Sequence, residues 1–410
     1  MTQERLDVGP EKVSGVGSAG AASPEAGDMP ASTGAGSARP RSAQPGPAQP
    51  GPTQPEKAAG SKPGNGEADA PTKKFEAPHR LEKETLFTHV AGLTLVSFWR
   101  TSSWILGHLP GGPVYRVGGW LAMIGYAASP QRRRWLRANF GHVLGVSPKD
   151  KAAGAMARAA YRNYARYIME LMRLPWMKPE KVDALLEVRS LDKFLDIYRA
   201  SKGVVLVAAH LGNNEAAAAG FAKHGLEINV VGDDSSYREL YELFERQRES
   251  WGVKMISWRN LRGVFGALRR HEGLVLLVDW GYREDGIPVR MFGSWTTLPA
   301  GPAILAAKHG SAIVPFSINR LPDGTFRAAA GDPILVPSNS PADLARATQQ
   351  IATALEGHIS PAPDQWYIFK PIWPATAAEA AALEARNEAA MAEESNPENG
   401  GGSPPRRKSR

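Results

Sequence analysis

The sequence predicts an α/β fold with a largely parallel central sheet flanked by helices, and three observations support this. Short apolar runs alternate with amphipathic stretches through the middle of the chain, two longer apolar stretches precede them, and both ends are poor in apolar residues. A 410-residue chain has room for two average domains, but these ends reduce the expectation to one catalytic core.

Taken in order, residues 1–80 are expected to be disordered. Up to Lys74 there is no aromatic residue, and eleven prolines are set among Ala, Gly and Ser. Too little apolar area is available there to offset the entropy of ordering. Acidic and basic residues balance in this stretch, so the net charge of +8 belongs to the rest of the chain and favours anionic partners. No cysteine is present, which excludes disulfides and thiolate catalysis. The N-terminus lacks the blocks of a signal peptide, so export by that route is not expected.

Residues 81–148 are read as membrane-associating helices. Leu86 to Gly107 and Val114 to Ala128 are apolar but interrupted by His89, Arg100 and Arg116, which argues against spans. Arg132, Arg133, Arg134 and Arg137, interleaved with Trp135 and Phe140, follow directly. Apolar helices with a basic, aromatic end suit the interface of an anionic membrane. The alternative is an ordinary core helix with a solvated basic end.

Residues 149–374 are the expected catalytic domain, with a core at about 203–320. Tyr161, Tyr164, Ile168, Leu171 and Leu174 recur at helical spacing until Pro175. Val204 to Ala209, Ile228 to Val231, Leu274 to Val278 and Ile313 to Ile318 read as buried strands. Helical patterns fall at Glu215 to His224, Glu239 to Trp251, Leu261 to Arg270 and Pro302 to His309. Residues 375–410, rich in Ala and Glu and ending in Arg406, Arg407, Lys408 and Arg410, are expected to form a disordered tail.

The segment Gly203 to Glu215 carries the chemistry. A buried strand delivers His210 to its carboxyl end, where open α/β sheets bind ligands, and Gly212 permits a tight turn into a helix. On one helix His210 and Glu215 would point about 140° apart. A strand-turn-helix junction removes that objection, so Glu215 is expected as the carboxylate that orients the imidazole. A histidine so held can deprotonate an alcohol for direct attack on an ester or thioester, and no Ser or Cys nucleophile stands at the turn.

His210-x4-Glu215 resembles the His-x4-Asp/Glu motif of the glycerolipid acyltransferases. Its surroundings resemble the branch holding the bacterial lipid A late acyltransferases and the phosphatidylinositol mannoside acyltransferases. The stations Arg137-Ala-Asn139, Tyr164 to Pro175, Val278-Asp279, Gly286, Val289, Phe292-Gly293, Gly301-Pro302-Ala303, Gly310 to Pro315, Asp364 to Trp366 and Pro371 to Trp373 occur in the family's order. Two positions depart from the pattern: Asn214 stands where the family commonly has Trp, and Tyr367 where it often has His.

The resemblance implies an O-acyltransferase with His210 and Glu215 catalytic, an acyl thioester (acyl-CoA or acyl-ACP) as co-substrate, a membrane lipid as acceptor, and no other cofactor. Arg246 and Arg248 resemble the family's arginines near the site and would bind a phosphate, the alternative being solvated helix-face residues. Asp279, at the same sheet edge as His210, would bind an acceptor hydroxyl or hold Arg248, the alternative being a plain loop-initiating residue. Arg283 would reach a phosphate from its loop. Gly301-Pro302 is read as helix initiation, and His224, His271 and His309 as surface caps. No metal-ligand spacing appears.

The acceptor expected is a glycolipid or phospholipid, most like that of the phosphatidylinositol mannoside branch, and location is expected at the cytoplasmic face of the membrane. The competing readings are a lipid A-type acyltransferase and, from another class, a silent membrane-binding scaffold. Nucleic acid is not an expected partner, since the basic cluster lacks any recognisable binding context.

Overall fold

The computed structural model describes residues 86–393, apart from 190 and 233–236. The expected disordered region 1–80 lies outside the described residues, as do 81–85 and 394–410.

Four helices come first: α1 (Leu86–His108), α2 (Gly111–Ala128), α3 (Pro130–Leu144) and α4 (Lys151–Arg173). Asp150 caps α4 by accepting from Ala152 N at 2.7 Å, and its small residues Ala153, Ala157 and Ala160 are buried at helical spacing. On α2 the buried positions Val114, Gly118, Ala122 and Tyr126 fall four apart, so a single stripe packs inward. The opposite side leaves Val117, Trp120, Leu121 and Ile124 exposed, as α1 does Phe98 and Trp104. Among the described residues no helix is long and apolar enough to cross a membrane.

After α5 (Pro179–Ala184) come β1 (Leu186–Arg189), α6 (Leu191–Ala200), β2 (Val204–Ala208), α7 (Asn214–Lys223), β3 (Ile228–Gly232), α8 (Arg238–Glu249) and β4 (Val253–Ser257). The chain continues with α9 (Leu261–Arg269), β5 (Gly273–Leu277), the hairpin β6 (Ile287–Met291) and β7 (Ser294–Leu298), and α10 (Gly301–His309). It closes with β8 (Ala312–Arg320), β9 (Phe326–Ala330), α11 (Pro341–Ile359) and α12 (Ala377–Ala392).

The main sheet runs β1-β9-β8-β2-β5-β3-β4, and β8, β2, β5, β3 and β4 are mutually parallel. Only the pairing of β8 with β9 is antiparallel. The mostly parallel sheet expected from the alternating pattern is therefore present. Burial explains why these strands read as continuous apolar runs: β2 is covered on both faces. Val205 and Val207 join one core with residues of α3, α4, α9, α10 and α11, while Val204, Leu206 and Ala208 join a second with α6 and α7.

Within the stretch 375–410 expected to be a disordered tail, the described residues include a helix, α12. Thr376 forms a capping box with Glu379, Leu383 of α12 is buried, and Arg386 donates to the carbonyls of Glu284 at 2.6 Å and Gly286 at 2.8 Å. The capping box and this docking hold as a helix an Ala- and Glu-rich stretch whose composition alone suggested disorder.

Candidate active site

Register places the site. Ala208 of β2 pairs with Leu277 of β5 at the last residue of each strand, and the chain runs two residues beyond them, to His210 and to Asp279. Two parallel neighbours thus deliver a histidine and a carboxylate side by side at their carboxyl ends. His210 Nδ1 lies 2.6 Å from Asp279 Oδ1, and His210 N donates to Asp279 Oδ2 at 2.9 Å. Trp366 Nε1 donates to the same Oδ2 at 2.8 Å. An ionised carboxylate only accepts, so Nδ1 carries the proton and the neutral ring keeps Nε2 as an acceptor. Asp279 is buried, whereas the His210 side chain is 32% exposed, enough for a second molecule to reach the ring.

Burial disfavours the imidazolium, but the charge and hydrogen bond of Asp279 outweigh it and raise the His210 pKa above its ordinary 6.5. For Asp279, burial pushes upward. The charge and hydrogen bonds of His210, with the Trp366 bond, prevail and lower its pKa below 3.8.

The carboxylate beside His210 is therefore Asp279 and not Glu215, as the five-residue spacing had suggested. Glu215, in the first turn of α7, is gripped by Arg248 of α8, with Nε to Oε2 at 2.9 Å and Nη2 to Oε1 at 2.5 Å. Arg248 Nη1 also contacts Met255 Sδ at 2.6 Å, so each of its three nitrogens has a partner within the protein. Of the two roles considered for Asp279, neither is the one its contacts show: it holds His210, and Glu215 holds Arg248.

Arg246 is exposed and paired with Glu242 at 3.6 Å, and Arg283 is exposed and paired with Asp285 at 2.8 Å. Neither forms a hydrogen bond or ion pair with His210, Asp279, Glu215 or Arg248.

The turn between β2 and α7 depends on Gly212. Its φ is +61°, and an added Cβ would lie 1.9 Å from the Ile318 carbonyl oxygen. Gly212→Ala is expected to lower stability by about 2–4 kcal/mol, read as a lower urea midpoint at unchanged slope. An unchanged midpoint would mean that the turn has room the structure does not show. Asn214, at the position where the family commonly has Trp, donates to the Ala209 carbonyl at 3.2 Å and so helps close the same turn.

The segment 364–373 closes over this turn. Tyr367 N donates to the His210 carbonyl at 2.8 Å, and Gly212 N donates to the Gln365 carbonyl at 3.0 Å, which makes Trp366 opposite Leu211 a short antiparallel bridge. Asn139 fixes the far end, donating to the Lys370 carbonyl at 2.8 Å and accepting from Ile372 N at 3.2 Å. Tyr367 stacks on Tyr167 with ring centroids 5.5 Å apart, and burial pushes its phenol up to about 12, so it stays neutral. Trp280, largely exposed, meets the His210 ring edge-to-face at 5.4 Å and provides an apolar wall beside it.

The partnership of Trp366 with Asp279 was not legible from the sequence. Its one signal was membership in the closing station Asp364 to Trp366.

The sequence profile of the family described as bacterial lipid A biosynthesis acyltransferase matches residues 82–374. The chain belongs to that family. It is similar to a phosphatidylinositol mannoside acyltransferase of Mycolicibacterium smegmatis, 29% identical over 60% of this chain and 82% of the relative. One from Mycobacterium tuberculosis is 27% identical over 62% and 80%. The lipid A biosynthesis lauroyltransferase of Escherichia coli is 23% identical over 54% and 72%. The resemblance drawn from the ordered stations thus holds for the family as a whole, and the chemistry is O-acyl transfer.

Proposed function

We propose that this chain transfers a fatty acyl group from an acyl thioester, acyl-CoA or acyl-ACP, to a hydroxyl of a glycolipid or phospholipid, most like a phosphatidylinositol mannoside. The observation that carries it is the His210–Asp279 pair at adjacent strand ends, with Nε2 of a partly exposed imidazole left to accept a proton. Among acceptors, the higher identity to the mycobacterial relatives favours the mannoside class over lipid A.

In the reaction, the acceptor O–H gives its proton to His210 Nε2 while its oxygen attacks the thioester carbonyl. Asp279 stabilises the imidazolium through Nδ1–H. The tetrahedral intermediate collapses by breaking the C–S bond, and the thiolate leaves with the proton from His210, so an ester and a free thiol result. No covalent intermediate on the protein and no metal enter this sequence. Glu215 and Arg248 neutralise each other and brace the start of α7 against α8, and Trp280 gives apolar surface to the entering chain.

Membrane association, at the cytoplasmic face, is part of this reading. The association, though not the face, is supported by the exposed Phe98, Trp104, Trp120 and Leu121 of α1 and α2, with Arg132 and Arg134 exposed on α3.

The test is transfer of radiolabelled palmitate from palmitoyl-CoA, and separately from palmitoyl-ACP, into a total actinobacterial lipid extract, resolved by thin-layer chromatography. A labelled, base-labile glycolipid is the expected product. Label that reaches no lipid from either donor would sink the proposal, and label in lipid A precursors alone would replace the acceptor.

A further inference from the structure

Between α2 and α4 lies a cleft of about 490 Å³ whose polar lining is Arg116, Arg162, Asn163 and Arg166, with Tyr115 and Trp120. Arg116 and Arg162, from opposite helices, are exposed and form no hydrogen bond or ion pair among the described residues. Arg166 lies 4.9 Å over the Tyr115 ring and 3.0 Å from Glu170. Glu170, however, is already held bidentately by Arg320, so it leaves most of the cleft's positive charge unmatched. The other carboxylate near this wall, Asp364, accepts from Asn163 at 2.8 Å.

Two unpaired guanidinium groups facing one cleft repel each other, and an anion between them removes that cost while filling planar, bidentate donors. The outer lip of the cleft is apolar, since Val117, Trp120, Leu121 and Ile124 of α2 are exposed beside it. Exposed guanidinium groups beside exposed apolar side chains match an amphiphile and do not match a fully water-soluble anion.

We propose that this cleft is a binding site for the headgroup phosphate of an anionic phospholipid, whose acyl chains lie along the exposed face of α2. None of its lining residues bonds to His210, Asp279, Glu215 or Arg248; Arg166 and Asn163 reach only the supporting Glu170 and Asp364. It holds the enzyme at an anionic surface in one orientation and does not depend on which lipid is acylated.

The test is cosedimentation of the full chain with phosphatidylcholine vesicles and with vesicles containing phosphatidylglycerol. Wild type is expected to prefer the anionic vesicles, and Arg116→Ala/Arg162→Ala to bind them about thirtyfold more weakly, with binding to neutral vesicles retained through the apolar lip. Gly119→Glu is a second variant: an added Cβ there meets no atom within 4 Å, so a carboxylate enters the cleft without displacing the helix. It is expected to show the same loss. Arg262→Ala/Arg269→Ala removes the same charge from exposed positions on α9 and is expected to bind as wild type.

Equal losses in the α9 and cleft variants would mean diffuse attraction and overturn the site. So would full binding by both cleft variants. Displacement from the vesicles by millimolar inorganic phosphate would also overturn the lipid assignment and leave a soluble-anion site.

Discussion

His210→Ala is expected to lower kcat/KM for acyl transfer by about 10²- to 10⁴-fold with the fold intact, because the group that takes the acceptor proton is gone. Asp279→Asn is expected to be nearly as damaging, by a different route. Asn can donate as well as accept, so it no longer requires Nδ1 to carry the proton, and it no longer stabilises the imidazolium.

The pH profile separates these roles. His210 acts as a base only when neutral, and Asp279 raises its pKa. The wild-type acid limb should therefore have its midpoint above 6.5, and in Asp279→Asn the residual activity should titrate at lower pH. Glu215→Gln leaves the Asp279–His210 pair intact and is expected to keep the wild-type midpoint. If Glu215→Gln shifted the midpoint and Asp279→Asn did not, the carboxylate partner would be Glu215 after all.

Stability carries the same signature. The raised His210 pKa means that the protonated pair stabilises the fold below about pH 6.5, and the contribution fades as pH rises through the folded value. From the Asp279 side, the lowered pKa gives stability above about pH 3.8 that is lost as pH falls through the folded value. Urea midpoints of the wild type minus those of Asp279→Asn should therefore be largest between these limits.

Why Asp279 was not recognised in the sequence as the partner of His210 follows from what each signal contains. Apolar runs of five or six residues mark β2 and β5, and an acidic or basic residue just past each run marks its functional end. Neither states that β2 and β5 are neighbours. Glu215 stood five positions from the histidine and Asp279 sixty-nine, so local spacing favoured the wrong carboxylate. Strand adjacency is a tertiary fact, and only the sheet order supplies it.

The hairpin β6–β7 was missed for a local reason. Its turn is Phe292-Gly293, with φ of 47° and 73°, and an aromatic at the first positive-φ position lacks the Asn-Gly or Asp-Gly signal of such turns. In α11 the first half of the inward face is Ala342, Ala345 and Ala347 with Asp343 and Thr348, so large apolar residues mark only its second half, at Ile351, Leu355 and Ile359, although Ser340 and Pro341 mark its start. Where local chemistry was complete, as in α4, β2 and the Gly212 turn, the expected elements are present.

The second large effect is one of stability. Arg320, at the end of β8, donates Nε to Glu170 Oε1 and Nη2 to Oε2, both at 2.7 Å, with side chains 3% and 9% exposed. The pair joins four parts of the site. Glu170 belongs to α4 and lies 3.4 Å from Asn213 Nδ2 in the catalytic turn, and the Arg320 backbone exchanges two hydrogen bonds with the Gln365 side chain of the closing segment. Glu170→Ala strands a buried guanidinium and is expected to lower stability by about 3–5 kcal/mol. Replacing both, as Glu170→Leu/Arg320→Met, removes the stranded charge along with its partner and is expected to cost far less in folding free energy. The double variant should nonetheless lose part of its acyl transfer beyond its stability loss, because the buried tie between α4 and β8 that supports the closing segment is gone, leaving Asn163 on Asp364 and Tyr167 on Tyr367 to hold that segment, and with it Trp366 and Asp279, to α4. Denaturant midpoints of wild type, both single variants and the double variant close the cycle. A double variant as unstable as Glu170→Ala would show that the pair stabilises the fold in its own right, and full activity in it would show that Trp366 keeps its place without the pair.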